Sequence, residues 1–200
     1  WWDWKQKDGD FALDQLWLKG YQGDLDYQAG RQVISWGTAD GFNPTNYFTR
    51  MTTDALLSGS MSGDPLWAGQ ITYYGSNWSL TGVAVPFFTP QRIDDQMKAI
   101  LAAENPQAKM VLDAIEGTKK PQGFGKGSEL ALRAETQLAG FDLQASFFTG
   151  FEPLPGLEMA LTIQEIPGLG PMPVPSVQGT YRRVNFLGVA AAGTIGDVGV

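Results

Sequence analysis

The 200-residue chain carries a formal net charge of −7 and contains neither cysteine nor histidine. The absence of cysteine excludes disulfides and thiolate chemistry, and the absence of histidine removes the commonest general base and transition-metal ligand. The negative charge argues against nucleic-acid binding, which needs a basic surface. No stretch approaches the roughly 18 consecutive apolar residues of a membrane-spanning helix. We therefore expect no cofactor, no metal site, no nucleic-acid partner and no enzymatic activity.

The predicted strands are two-faced, with polar and apolar side chains in alternation. In chain order they span residues 11–20, 24–36, 66–74, 78–87, 129–138, 141–147 and 181–195, and an eighth begins after residue 197. The clearest pattern is that of residues 129–138, in which Leu130 and Leu132 fall on one face and Arg133 and Glu135 on the other. Alternation with period two predicts a β-strand that has one polar and one apolar face.

Short turns and long loops alternate between these strands. The long loops span about residues 37–64, 88–127 and 150–179. The second loop contains a helix candidate with Met97 and Leu101 at helical spacing, and Pro106 should break that helix before a further turn or two. The third loop is rich in Pro and Gly, and we predict no strand within it.

This rhythm is typical of an antiparallel transmembrane β-barrel, in which short turns face the periplasm and long loops face the exterior. We predict an all-β fold in which residues 1–200 form a single segment of a larger barrel, with about eight strands, the last one truncated, long extracellular loops and a short helix in one of them. The alternative fold is a soluble β-sandwich, which has no reason to place all its long loops at one end.

Polar side chains fall on the strand faces that a barrel turns inward. The candidates for a lumen-facing position are Asp24, Asp26, Gln28, Gln70, Thr72, Arg133, Glu135, Gln137, Asp142 and Gln144. An arginine that faces lipid at mid-depth costs about 2–4 kcal/mol, so Arg133 should point inward. We favour a water-filled lumen, and the alternative is that these side chains merely fill the interior of a closed barrel.

Aromatic residues lie near the predicted strand ends, where a barrel carries rings at the membrane interface. The candidates for such an interface position are Trp36, Trp67, Tyr73, Trp78, Phe87 and Phe147. For any single ring, a place in an ordinary core is an equal alternative. In the first long loop, Asn43 and Pro44 favour a turn that anchors the loop and folds it back over the barrel mouth.

One segment resembles a known group of proteins. Gly30-Arg31-Gln32-Val33-Ile34-Ser35-Trp36-Gly37, followed by Phe42-Asn43-Pro44-Thr45-Asn46, is similar to a segment of Gram-negative outer-membrane barrels of porin-like and unknown-function families, and more distantly of alginate-export barrels. Residues 181–189 resemble the start of a strand in the same group. The resemblance implies a bacterial outer-membrane location and passage of a solute, and it identifies neither catalytic residues nor a substrate.

Three functions follow as hypotheses. The leading one is an outer-membrane channel for small solutes, whose partners are outer-membrane lipid and a small-molecule solute, with a homo-oligomer or a surface partner also possible. The second is a non-conducting surface scaffold or anchor whose long loops bind a partner. The third is a soluble β-sandwich that binds carbohydrate through exposed aromatic rings.

Overall fold

A computed structural model describes residues 14–34, 36, 46–48, 63–93, 95–104, 106–167, 170–195 and 198–199. In chain order its elements are β1 (Leu16–Gln22), β2 (Leu25–Gln32), β3 (Leu66–Tyr74), β4 (Trp78–Val85), α1 (Asp95–Glu104), α2 (Pro106–Gly117), β5 (Glu129–Leu138), β6 (Phe141–Phe151), β7 (Gly156–Ile166), β8 (Gly170–Thr180), β9 (Arg183–Ile195) and β10 (Val198–Gly199). The prediction of an all-β chain with a short helical insertion is confirmed.

Eight of the strands form one antiparallel sheet in the order β1-β2-β3-β4-β5-β6-β9-β10. Nearly all neighbouring strands in this sheet are consecutive in the chain, and tight turns join β1 to β2, β3 to β4 and β5 to β6. Within the described residues the sheet is open, with β1 and β10 as its two edges. The long connections all leave from the opposite end of the sheet.

The prediction of a loop over residues 150–179 is wrong. Strand β6 continues to Phe151, and β7 and β8 form a separate two-stranded hairpin. Three of the prolines that suggested a loop, Pro171, Pro173 and Pro175, occupy alternate positions in the first half of β8, and all three pair with β7. Alternate residues of an antiparallel strand turn their N–H groups away from the partner, so prolines at these positions leave the ladder intact.

The helix prediction is confirmed as two helices on either side of residue 105. Pro106 opens α2, at the position where a missing N–H group has no cost. Lys98 of α1 bridges Asp95 and Glu116, which joins α1 to α2. These two carboxylates raise the pKa of Lys98 above its ordinary value of 10.5, chiefly through the hydrogen bond to Glu116. Among the described residues, no helix has the length and apolar character needed to span a membrane.

The largest cluster of buried apolar side chains lies over one face of the eight-stranded sheet, toward the long loops. Strands β3 to β6 contribute Leu66, Ala68, Val83, Val85, Ala131 and Phe148, and the chain beyond β2 contributes Ile34, Trp36 and Phe48. Ile34, Trp36 and Phe48 therefore pack onto the long-loop end of that face.

Candidate functional site

The eight-stranded sheet exposes an apolar face and carries polar side chains on its other face near the short turns, the reverse of the usual polarity in that half. On β5, Leu130 and Leu132 are about half exposed, whereas Glu129 is fully buried and Arg133 and Glu135 are partly buried. We call the face that carries Leu132 the outer face and the face that carries Arg133 the inner face. A sheet in water normally buries its apolar face and exposes its polar one.

Strand register extends the apolar outer face across the sheet. Directly paired positions place Tyr27, Ile71, Gly82, Leu132, Phe147 and Leu187 in one row. The five large side chains of this row are all exposed, from Phe147 at 40% to Leu187 at 86%. The outer face is thus a continuous band of exposed apolar side chains from β2 to β9.

The same register assembles polar rows on the inner face, toward the short turns. One row consists of Asp26, Thr72, Thr81, Arg133 and Ser146. The hydroxyl oxygens of Thr72 and Thr81 lie 3.1 Å apart, which is within hydrogen-bonding distance. The inner face is therefore polar near the short turns and apolar where Ile34, Trp36 and Phe48 pack onto it.

The structure brings the predicted lumen-facing residues together on this one face. Asp26, Gln28, Gln70, Thr72, Arg133, Glu135, Gln137, Asp142 and Gln144 share the inner face by register. Asp24 lies in the β1–β2 turn beside Tyr74, whose N–H donates to the Asp24 carbonyl. Whether this face lines an aqueous lumen stays a prediction.

Arg133 is at the centre of the inner face. Its Nη2 lies 3.2 Å from the Glu135 carboxylate, which also accepts a 3.4 Å hydrogen bond from the Ser79 hydroxyl. The guanidinium carbon lies 4.9 Å from the centre of the Trp36 ring, a cation–π distance. The Nε of Arg133 is buried and has no hydrogen-bond partner among the described residues.

The polar half of the inner face is net negative. Its carboxylates by register are Asp26, Glu135 and Asp142, and its cations are Lys19 and Arg133, so three negative and two positive charges give a net charge of −1. Lys19 pairs with Asp26 at 3.5 Å.

Sequence reasoning missed several inner-face residues. An inner-face position was not predicted for Lys19, because Leu16, Trp17 and Leu18 break the alternation of polar and apolar residues in β1. Ser79 and Thr81 occupy inner positions of β4, and the period of that strand alone would have identified them.

Trp36 does not lie among the outward-facing aromatic residues, and its prediction as an interface ring is corrected here. It is only 1% exposed, beyond the end of β2, where the chain folds over the inner face. Its ring packs edge-on against Phe48 at 5.7 Å, and Phe48 packs in turn against Phe148. Tyr47 stacks on Phe148, and its hydroxyl lies 3.4 Å from that of Ser146. Trp36 lies on the inner face because its ring packs against Phe48 and against the guanidinium of Arg133.

The other predicted interface aromatics are exposed. Trp67, Tyr73, Trp78, Phe87 and Phe147 are each 40–58% exposed. Tyr73 and Trp78 lie 5.4 Å apart beside the β3–β4 turn. A membrane-interface role for these rings stays a prediction. The predicted loop anchor, Asn43 and Pro44, lies outside the described residues.

The chain matches no protein-family model, no curated protein and no solved structure at a significant level. The relation of residues 30–46 to outer-membrane barrels therefore stays a prediction, and the function proposed below rests on the geometry of the two sheet faces.

Proposed function

We propose that the chain is part of an outer-membrane β-barrel channel that passes small hydrophilic solutes. The observation that supports this proposal is the reversed polarity of the eight-stranded sheet. An apolar band of this extent is an aggregation hazard in water and a favourable surface in lipid. An antiparallel sheet also satisfies its own backbone hydrogen bonds, which any structure inside a bilayer must do.

The proposal requires a closed sheet. A bilayer tolerates no unpaired strand edge, so β1 and β10 must pair with further strands in the membrane. Those strands come from the same chain or from another copy of it. The outer face then contacts outer-membrane lipid, the inner face contacts water, and the long-loop end faces the exterior.

The first loop gives this channel a constriction. Trp36, Tyr47 and Phe48 lie against the inner face near the long-loop end, where they occupy part of the lumen. A solute that enters from the long-loop end meets this aromatic cluster first and then reaches the polar rows around Arg133.

A surface scaffold is the second candidate function, and the β7–β8 hairpin favours it. The hairpin extends beyond the end of β6 and exposes Met159, Leu161 and Ile163, which share one face of β7. Such a stripe fits a surface that binds another protein. The sandwich alternative has less support, because the hairpin packs against α2 and no second sheet among the described residues covers the outer face.

Planar-bilayer recording of the full-length protein, purified in detergent, tests the channel. We expect discrete current steps that grow with salt concentration, and reversal potentials that show a preference for K⁺ over Cl⁻, because the polar half of the inner face has a net charge of −1. Insertion without current would contradict the channel and favour the scaffold. A preference for Cl⁻ would contradict the assignment of these carboxylates to the lumen.

A further inference from the structure

The free edge of β8 is closed to further strands. Pro171, Pro173 and Pro175 have no N–H group, so β8 can form its ladder with β7 only if these three positions turn away from β7. The free edge of β8 therefore lacks three donors at alternate positions. Another strand cannot pair along that length, and proline on an edge strand is one way in which proteins prevent such pairing.

The free edge of β7, in contrast, is open. The register of the hairpin is continuous along the 11 residues of β7, so the residues opposite the prolines, and every second residue before them, also turn their N–H and C=O groups outward. These residues are Leu157, Met159, Leu161, Ile163 and Glu165. Within the described part of the chain, no strand pairs with this edge. A long edge with unpaired main-chain groups is a template for another strand.

The side chains beside this open edge are apolar and exposed. Met159, Leu161 and Ile163 share one face of β7 and are 83%, 72% and 75% exposed. Pro173 and Pro175 continue the same face on β8, opposite Ile163 and Leu161. The open edge thus fits a partner strand that supplies main-chain hydrogen bonds and apolar contacts together.

The sequence of β7 is complementary to itself. Two antiparallel β7 strands that are centred on Leu161 match over all 11 residues of each strand. Leu161 then lies opposite Leu161 of the other copy, and Met159 lies opposite Ile163, so apolar side chains meet apolar side chains. Neither carboxylate of the strand, Glu158 or Glu165, lies opposite a carboxylate of the other copy.

We propose that β7 pairs with β7 of a second copy of this chain, which joins two hairpins into one four-stranded antiparallel sheet. The outward N–H and C=O groups of Leu161 bond across a two-fold axis that is perpendicular to the sheet. In a membrane this axis coincides with the membrane normal, so the hairpins lie parallel to the membrane surface. Residues 152–155, outside any strand, separate the hairpin from β6 and allow that orientation. The proposal goes beyond the channel function and does not depend on it.

Cysteine cross-linking of the full-length protein in detergent tests the pairing. Because the chain contains no cysteine, Leu161→Cys introduces one thiol per copy. At the two-fold axis the two Cα atoms of residue 161 are about 5.5 Å apart, a separation that a disulfide spans. We expect mild oxidation to convert most of this variant into a covalent dimer. Absence of the dimer would overturn the proposal.

Met159→Cys is the matched control for the cross-link. Met159 is exposed on the same face, but in the proposed register it lies opposite Ile163 and about 13 Å along the strand from its own counterpart. This variant should not form a covalent dimer, whereas a variant that carries both Met159→Cys and Ile163→Cys should. Equal cross-linking of Leu161→Cys and Met159→Cys would indicate random collision and overturn the proposed register.

Proline substitutions test the open edge itself. Leu161→Pro removes an N–H group that β8 does not use, so the hairpin should still form, but the dimer loses two hydrogen bonds at its axis. We expect the Kd of the dimer, measured by sedimentation in detergent, to rise about ten-fold or more. Val177→Pro makes the same change on the free edge of β8 and should leave the Kd unchanged. A wild-type protein that is always monomeric, or equal Kd values in the two variants, would overturn the proposal.

These tests are independent of conduction. Current steps from a protein that stays monomeric would overturn the dimer and leave the channel in place. A dimer that forms through β7 and never conducts would overturn the channel and leave the dimer in place.

Discussion

Replacing Leu132 with arginine lowers the free energy of unfolding by about 2–4 kcal/mol when the protein is embedded in lipid vesicles. Leu132 lies at the middle of β5 on the outer face and is 48% exposed. A charge at this position enters hydrocarbon if the outer face contacts lipid, and it enters water if the protein is soluble. Denaturant unfolding in vesicles, followed by tryptophan fluorescence, measures the loss.

Leu138→Arg is the matched control for this substitution. It makes the same change on the same face of the same strand, next to the β5–β6 turn. The cost of an arginine falls to about 0–1 kcal/mol near the membrane interface, so Leu138→Arg should lower the free energy of unfolding much less than Leu132→Arg. A Leu132→Arg variant that stays within about 0.5 kcal/mol of the wild type would indicate a water-exposed surface and contradict the lipid-facing band.

Replacing Trp36 with alanine lowers the free energy of unfolding by about 3–5 kcal/mol, the usual cost of removing a buried large aromatic side chain. Trp36 is 1% exposed, and its ring packs against Phe48 of the first long loop and against the guanidinium of Arg133. Its loss leaves a cavity and removes the aromatic partner of a partly buried cation. The same unfolding experiment measures the effect.

Two variants show whether the buried position causes this effect. Trp36→Phe keeps an aromatic ring beside Arg133 and should recover part of the lost stability. Trp67→Ala removes a tryptophan that is half exposed on the outer face, and it should cost less than Trp36→Ala. Equal losses at Trp36 and Trp67 would contradict the inward packing of the first loop.

The sequence predicts the sheet well where its pattern is local. Period-two alternation in residues 129–147 fixes which side chains share a face, and the tight turn at Ala139-Gly140 fixes the register of β5 on β6. Ala139 and Gly140 both have positive φ, as the turn requires. The grouping of Arg133, Glu135 and Gln144 follows from these two facts.

The features that the sequence did not predict depend on distant contacts. Trp36 and Phe48 lie in a part of the sequence that has no periodicity, so aromatic character alone could not distinguish an interface ring from a core ring. The sequence did not predict the β7–β8 hairpin because prolines usually break strands. Only the pairing of β8 with β7 shows that Pro171, Pro173 and Pro175 occupy positions that a strand tolerates. The burial of Gln144, which is only 5% exposed, likewise depends on neighbours from other strands.

Single-cysteine scanning of residues 130–135 tests the central claim, that the outer face contacts lipid and the inner face contacts water. The chain has no cysteine, so each variant carries one labelling site. With nitroxide labels in vesicles, positions 130, 132 and 134 should be accessible to oxygen, which concentrates in lipid, and positions 133 and 135 to a water-soluble paramagnetic reagent. If the water-soluble reagent instead reaches 130, 132 and 134 best, the reversed sheet lies in water and the channel proposal is wrong.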